Sequence, residues 1–200
     1  PQADGLAESG QQGDERTFEG FLRSDGRVGT RNYIAVISAI NCINPIVRRI
    51  QQHFTHEALS AYPNVDGVIA VTIDSGCSMA EGGFDYLNLQ RVICNVATHP
   101  NVAASIVVGL GCEVNQMAEV LAPLNVPLLV VQDVGGSKNA IQQGIEWVES
   151  QLERADAVKR TPQPLRKLCL AMQCGGSDAF SGITANPLLG AITDRIVQAS

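Results

Sequence analysis

Aromatic residues make up only 4% of this 200-residue chain, so its core has to be built from Val, Ile, Leu and Ala. Side chains of that kind suit a parallel sheet buried on both faces better than an antiparallel sandwich. No apolar run approaches the roughly 18 residues of a membrane-spanning helix. The opening PQADGLAESGQQGDER has neither the basic start nor the apolar stretch of a signal peptide. Basic runs are missing as well, Arg48 and Arg49 being an isolated pair in a chain of net charge −6. That balance argues against a nucleic-acid or membrane partner, yet it leaves room for a small anion held by a few local cations and backbone N–H groups. Three histidines form no HExxH or other close ligand pair; His53, His56 and His99 read as surface, capping or turn residues. There is no GxxxxGK[ST], and GLGCEV lacks the third glycine of GxGxxG, so no nucleotide cofactor is expected.

What is present is regular. Short apolar runs at Tyr33–Ala39, Asp66–Ile73, Ala104–Leu110, Val126–Gln132 and Leu168–Met172 read as strands. Helical stretches follow them at Pro45 to about Phe54, near Phe84–Ala97, up to about Leu121, and over Ser137–Ala155 with Ser137 as N-cap. A last helix is expected to begin near Pro187. Strands alternating with helices imply βαβ units and an α/β, Rossmann-like layered fold, with a parallel sheet flanked by helices. Residues 1–17 read as a disordered leader or linker, and 18–157 as an α/β domain of about four βα units. Residues 158–166, charged and proline-containing, read as a linker, and 167–200 as the start of a second α/β unit.

Six cysteines without a secretory signal favour a reducing, cytoplasmic setting over a disulfide scaffold. Cys42, Cys77 and Cys112 each fall just after a predicted strand and are 35 residues apart; Cys174 holds the same place after the last strand. The equal spacing follows from βα units of similar length. The recurrence of cysteine at the carboxyl ends of strands, where open α/β sheets bind ligands, brings four thiols to the edge where chemistry is expected. Cys94 and Cys169 read as core residues. SDGRVGTRN offers Arg27 and Arg31 to a carboxylate, or else is a solvated hairpin. In QCGGSD, Gly175 and Gly176 allow close backbone approach, Ser177 offers a hydroxyl, and Asp178 is a candidate ligand or base; the alternative for Asp178 is to cap its own turn.

DGRVGTRNYIAVISAINC, PNVDGVIAVT, SGCSMA, HPNVAASIVVGLGCEVNQ, GGSKNAIQQGIEW and QCGGSDAFSGITANPLLG occur in that order over roughly residues 20–195. Together they resemble the main catalytic region of the altronate dehydratase and galactarate dehydratase family. The resemblance implies a hydro-lyase acting on sugar acids with a divalent metal, Fe2+ first and Mn2+ or Mg2+ as alternatives. It also implies that the chain is an internal piece of a longer, homo-oligomeric enzyme. On the matching stretches it points to Asp178, Lys138 and Glu113 as catalytic candidates. Arg27, Arg31, Asn32, Asn115, Gln116, Gly175, Gly176, Ser177, Thr184 and Asn186 are its candidates for substrate binding, with Cys42, Cys77, Cys112 and Cys174 facing the metal. One departure stands out. Where many members have THGSGCG, this chain reads TIDSGCS, with Ile73 and Asp74. The rival readings are an iron–sulfur dehydratase, a sulfolactate sulfo-lyase-like elimination, and a non-catalytic acid-binding module.

Overall fold

The computed structural model describes residues 16–173, 175, 176 and 178–198. The chain divides into two units, one spanning Glu19–Thr161 and the other joining the flanking segments on either side of it. The first unit carries a four-stranded parallel sheet of β3 (Tyr33–Ser38), β4 (Gly67–Val71), β5 (Val102–Gly109) and β6 (Leu128–Val130), in the order β4-β3-β5-β6. Ahead of it lies a hairpin, with β1 (Thr17–Leu22) pairing antiparallel to β2 (Val28–Gly29) through Phe21↔Gly29 and Leu22↔Val28.

Strict alternation along the strands decides which helix covers which face. Ile34 and Val36 of β3 and Ile106 and Val108 of β5 pack against α1 (Asn44–His53) and α4 (Ser137–Asp156). Ala35, Ile37 and Val107 turn the other way, onto α2 (Phe84–Ala97) and the short α3 (Ala118–Leu121). The sheet is therefore covered on both faces, which is why its strands read as continuous apolar runs. Each fully buried Ile or Val contributes about 1.5–3 kcal/mol by leaving water. This is the α/β layered arrangement of parallel sheet and flanking helices expected from the sequence.

The boundaries shift in instructive places. The strand expected over Val126–Gln132 is only Leu128–Val130, because only that much pairs with β5. A single 3-10 turn, Asn41–Ile43, precedes α1. Ser137 is the first helical residue rather than the N-cap of α4, since Gly136, at φ 108, takes the cap position without a side-chain hydrogen bond. The expected strand Leu168–Met172 is not one: residues 168–172 carry no strand ladder among the described residues, and Cys169, expected in the core, is exposed. A short strand, β7 (Thr161–Pro164), instead lies inside the stretch expected to be a linker. The final helix, α5 (Ala185–Gln198), starts two residues before Pro187.

Helices α1 and α4 approach closely at Gly144, where an added Cβ would fall 2.4 Å from Cδ1 of the fully buried Ile50. Alanine at that position gains about 1 kcal/mol of helix propensity but overpacks a filled core at a cost of about 1–3 kcal/mol. Gly144→Ala is therefore expected to lower stability by about 1 kcal/mol in a urea melt.

Candidate functional site

In a parallel sheet every strand delivers its following loop to the same edge, and ligands bind where the strand order reverses. Here the reversal falls between β3 and β5, since the chain runs from β3 outward to β4 and then crosses to β5 on the other side. Cys42, Cys77 and Cys112 lie in the loops after β3, β4 and β5 at this carboxyl edge, and all three are exposed. The first two loops are pressed together. Asn41 N donates to Ser75 O at 3.0 Å, and a Cβ on Gly76, at φ 110, would sit 3.2 Å from Ala39 O. Ser38 and Asn44 clamp the end of β4: Ser38 Oγ and Asn44 Oδ1 receive Ile73 N, while Asn44 Nδ2 donates to Ile73 O.

A groove of about 850 Å3 opens beside these loops, lined by Asn41, Asp74, Ser75, Cys77, Ser78 and the first turns of α2. The departure at TIDSGCS acquires a spatial meaning here. Ile73 packs against the apolar cluster under α2, whereas Asp74 is exposed on the groove and has no hydrogen-bond or ion-pair partner among the described residues. Asn41 and Ser75 were missed in the sequence, although their place just past a strand end is the signal that singled out Cys42 and Cys77. Lys138, exposed in the first turn of α4 after β6, lies on the same edge.

Glu113, in the loop after β5, is buried. Its carboxylate folds back on its own loop, Oε1 accepting from Leu110 N at 3.0 Å and Oε2 from Gly111 N. The glycines of GLGCE make room for this. A Cβ on Gly109 would lie 2.6 Å from Glu113 Oε1, and Gly111, at φ 117, lies against Gln132. The N–H groups of this loop do hold a carboxylate, as their type suggests, and it is the protein's own. Gln116 Nε2 donates to Glu113 O, tightening the same loop. Asn115 is fully buried, and neither atom of its amide has a partner among the described residues. Such an amide calls for a water or for a group outside those residues.

The arginine-rich stretch lies at the opposite, amino edge, before β3. Asn32 is fully buried and acts as a hub: Nδ2 donates to Asn64 O at 2.8 Å and Ala155 O at 2.9 Å, and Oδ1 accepts from Arg23 Nη1 at 2.9 Å. Arg27 binds Asp25 and Thr98 O, and Arg31 sits 3.8 Å from Asp66. The fold thus places Arg27, Arg31 and Asn32 away from the cysteine loops, and SDGRVGTRN forms the turn and second strand of the β1–β2 hairpin.

In the second unit, Asp178 Oδ1 accepts from Phe180 N and Ser181 N, each at 2.8 Å, so it caps the turn that precedes α5. Thr184 Oγ1 donates to Phe180 O within that turn. Gly175, Gly176 and Asn186 are exposed. Cys174 and Ser177 lie outside the described residues. Cys94 is partly buried in α2, and burial pushes its thiol pKa up. Among the described residues no three or more His, Cys, Asp or Glu side chains group as a metal ion requires.

A doubly covered parallel sheet with a groove beside the loops at its carboxyl edge defines an α/β layered protein. The chain belongs to the D-galactarate dehydratase/altronate hydrolase family, whose second domain matches residues 20–156 and whose C-terminal domain matches residues 165–200. It is 35% identical over 187 residues to an altronate dehydratase of Bacillus subtilis strain 168, covering 92% of this chain and 37% of that protein. An altronate dehydratase of Escherichia coli K12 is 36% identical over 192 residues, covering 93% of this chain and 38% of that protein. The galactarate dehydratase (L-threo-forming) of the same organism is 33% identical over 194 residues, covering 91% and 37%. The chain thus spans little more than a third of the length of each of these relatives. Among the described residues no helix is long and apolar enough to cross a membrane.

Proposed function

We propose that this chain forms part of a sugar-acid hydro-lyase, binding an aldonate or aldarate at the carboxyl edge of the sheet. The observation that carries the proposal is the groove beside Asn41, Asp74, Ser75 and Ser78, in a chain whose relatives are named altronate and galactarate dehydratases. Dehydration removes the proton α to the substrate carboxylate and expels the β-hydroxyl. The resulting enol becomes a 2-keto-3-deoxy acid. The hydroxyl- and amide-bearing loops suit a polyhydroxy acid, which needs many directed hydrogen bonds. The Lys138 ammonium on the same edge supplies positive charge for the dianion that develops when the α-proton leaves.

Asp74 is the base in this proposal. It stands beside the position where many family members carry histidine, it faces the groove, and no described residue pairs with its carboxylate. In the full-length protein, Asp74→Asn is expected to leave the thermal melt unchanged and to lower kcat at least about a hundredfold, the scale of a lost acid–base group. A variant turning over at the parent rate removes Asp74 from the role.

Altronate, galactarate and sulfolactate offered to the full-length protein test the reaction class, with keto acid and sulfite measured together. Keto acid from a sugar acid supports the dehydratase reading; sulfite from sulfolactate alone replaces it. The described residues supply no ligand set for a divalent cation. Elemental analysis of anaerobically prepared full-length protein measures whether such an ion belongs to it.

A further inference from the structure

At the amino edge of the sheet, opposite the groove, lies a second pocket of about 440 Å3. It is enclosed by the β1–β2 turn, the corner between α2 and β5, and the last turns of α4. Arg23, Arg27, Arg154 and His99 line it, with Asp25 as its carboxylate. In a chain of net charge −6, this is a local excess of positive charge within a small, partly enclosed space.

The walls are fixed by backbone contact. A Cβ on Gly29 would lie 2.2 Å from Pro100 O, so only glycine lets the hairpin meet the corner. Arg23 spends its donors on that frame, through Nε to Pro100 O at 2.7 Å, Nη1 to Asn32 and Nη2 to Arg31 O. Burial holds its pKa below the ordinary guanidinium value, with Asp25 opposing. Asp25 is already paired, because hydrogen bonds from Arg27 hold its carboxyl below the usual carboxylate range. Arg27 uses Nε and Nη2 on Asp25 and Thr98 O, which leaves Nη1 without a partner among the described residues. Arg154, in the last turn of α4, has no hydrogen-bond or ion-pair partner among them either. His99 Nδ1 accepts from Asn101 N at 3.1 Å, so the neutral ring carries its proton on Nε2, as a donor.

We propose that this pocket binds a small oxyanion, the carboxylate or phosphate group of a metabolite, with Arg154 and Arg27 as its main ligands and His99 as a further donor. Guanidinium forks match the paired oxygens of either group. A volume of about 440 Å3 falls within the range of small-molecule sites. The single carboxylate present leaves two cations uncompensated, and an anion in the pocket supplies the missing charge. The site is separate from the catalytic groove and does not depend on which reaction occurs there.

Calorimetric titration of the full-length protein tests this, with inorganic phosphate and malonate in separate arms at matched ionic strength. One saturable site per chain is expected, and the tighter arm identifies phosphate or carboxylate as the preferred group. Arg154→Glu is expected to weaken binding at least tenfold with the melt unchanged, since the side chain is exposed. Arg154→Gln, which removes only the charge, should weaken it in the same direction. Lys138→Ala, at the other edge, should leave binding alone. Absence of saturable binding in both arms, binding within twofold of the parent in Arg154→Glu, or weakening by Lys138→Ala in place of Arg154→Glu would each overturn the proposal.

Discussion

Glu113→Ala is expected to destabilise the protein by about 3–6 kcal/mol, because two hydrogen bonds to a carboxylate are lost at about 1.5–3 kcal/mol each. The donors, Leu110 N and Gly111 N, belong to a loop held in an unusual shape, with Gly111 at φ 117 and Glu113 itself only 8% exposed. Without the carboxylate those N–H groups lose their partners beside the end of β5. Glu113→Gln should fall between parent and alanine, since an amide has one accepting oxygen where the carboxylate has two. A catalytic role for Glu113 makes the opposite forecast: an unchanged melt with turnover abolished. Urea denaturation followed by circular dichroism separates the two, and an alanine variant within 1 kcal/mol of the parent would discard the clamp.

Asn32→Leu carries the second large effect, an expected loss of about 3–5 kcal/mol from buried partners left unsatisfied. Leucine is close in size, so packing changes little, but Asn64 O, Ala155 O and the Arg23 guanidinium each lose their bond to the amide. One partner is charged, which raises the penalty above that of an ordinary neutral pair. Asn32→Asp should also destabilise, because a carboxylate would face two carbonyl oxygens where an amide now donates. A substrate-binding role predicts instead a raised KM in a protein of normal stability. The same melts, with kinetics on the full-length protein, decide between them.

Both residues show where sequence reading stops. Glu113 and Asn32 belong to stretches shared with the family, GLGCE and DGRVGTRN, and a carboxylate and an amide in such stretches suggest chemistry. Their partners show structure. Leu110 and Gly111 are near Glu113 in the chain, so a self-capping loop was legible in principle from the glycines flanking a buried acid. For Asn32 no such signal exists, since Ala155 is brought to it only by the packing of α4 on the sheet. Asp178 lies between: its capping of Phe180 and Ser181 is local, and aspartate before a turn often does this.

The strand LCLAM failed for a related reason. Its composition suits a strand, but a strand needs a neighbour to satisfy its N–H and C=O groups, and residues 168–172 have no ladder partner among the described residues. The proline-bearing Thr161–Pro164, which composition disfavours, is extended as β7. Pairing overrode propensity in both places.

The sequence by itself determined the layered α/β class, the succession of βα units and the loops that carry Cys42, Cys77 and Cys112. Each of these follows from short apolar runs and their periodicity, which are local properties of the chain. The tertiary structure alone decided the strand order β4-β3-β5-β6 and hence the switch point. It also placed Arg27 and Arg31 at the edge opposite Cys42, Cys77 and Cys112, and left Asp74 over the groove with no partner among the described residues. Those outcomes depend on which strand pairs with which and on which helix face closes over it, and such contacts join residues far apart in the chain that no local pattern relates.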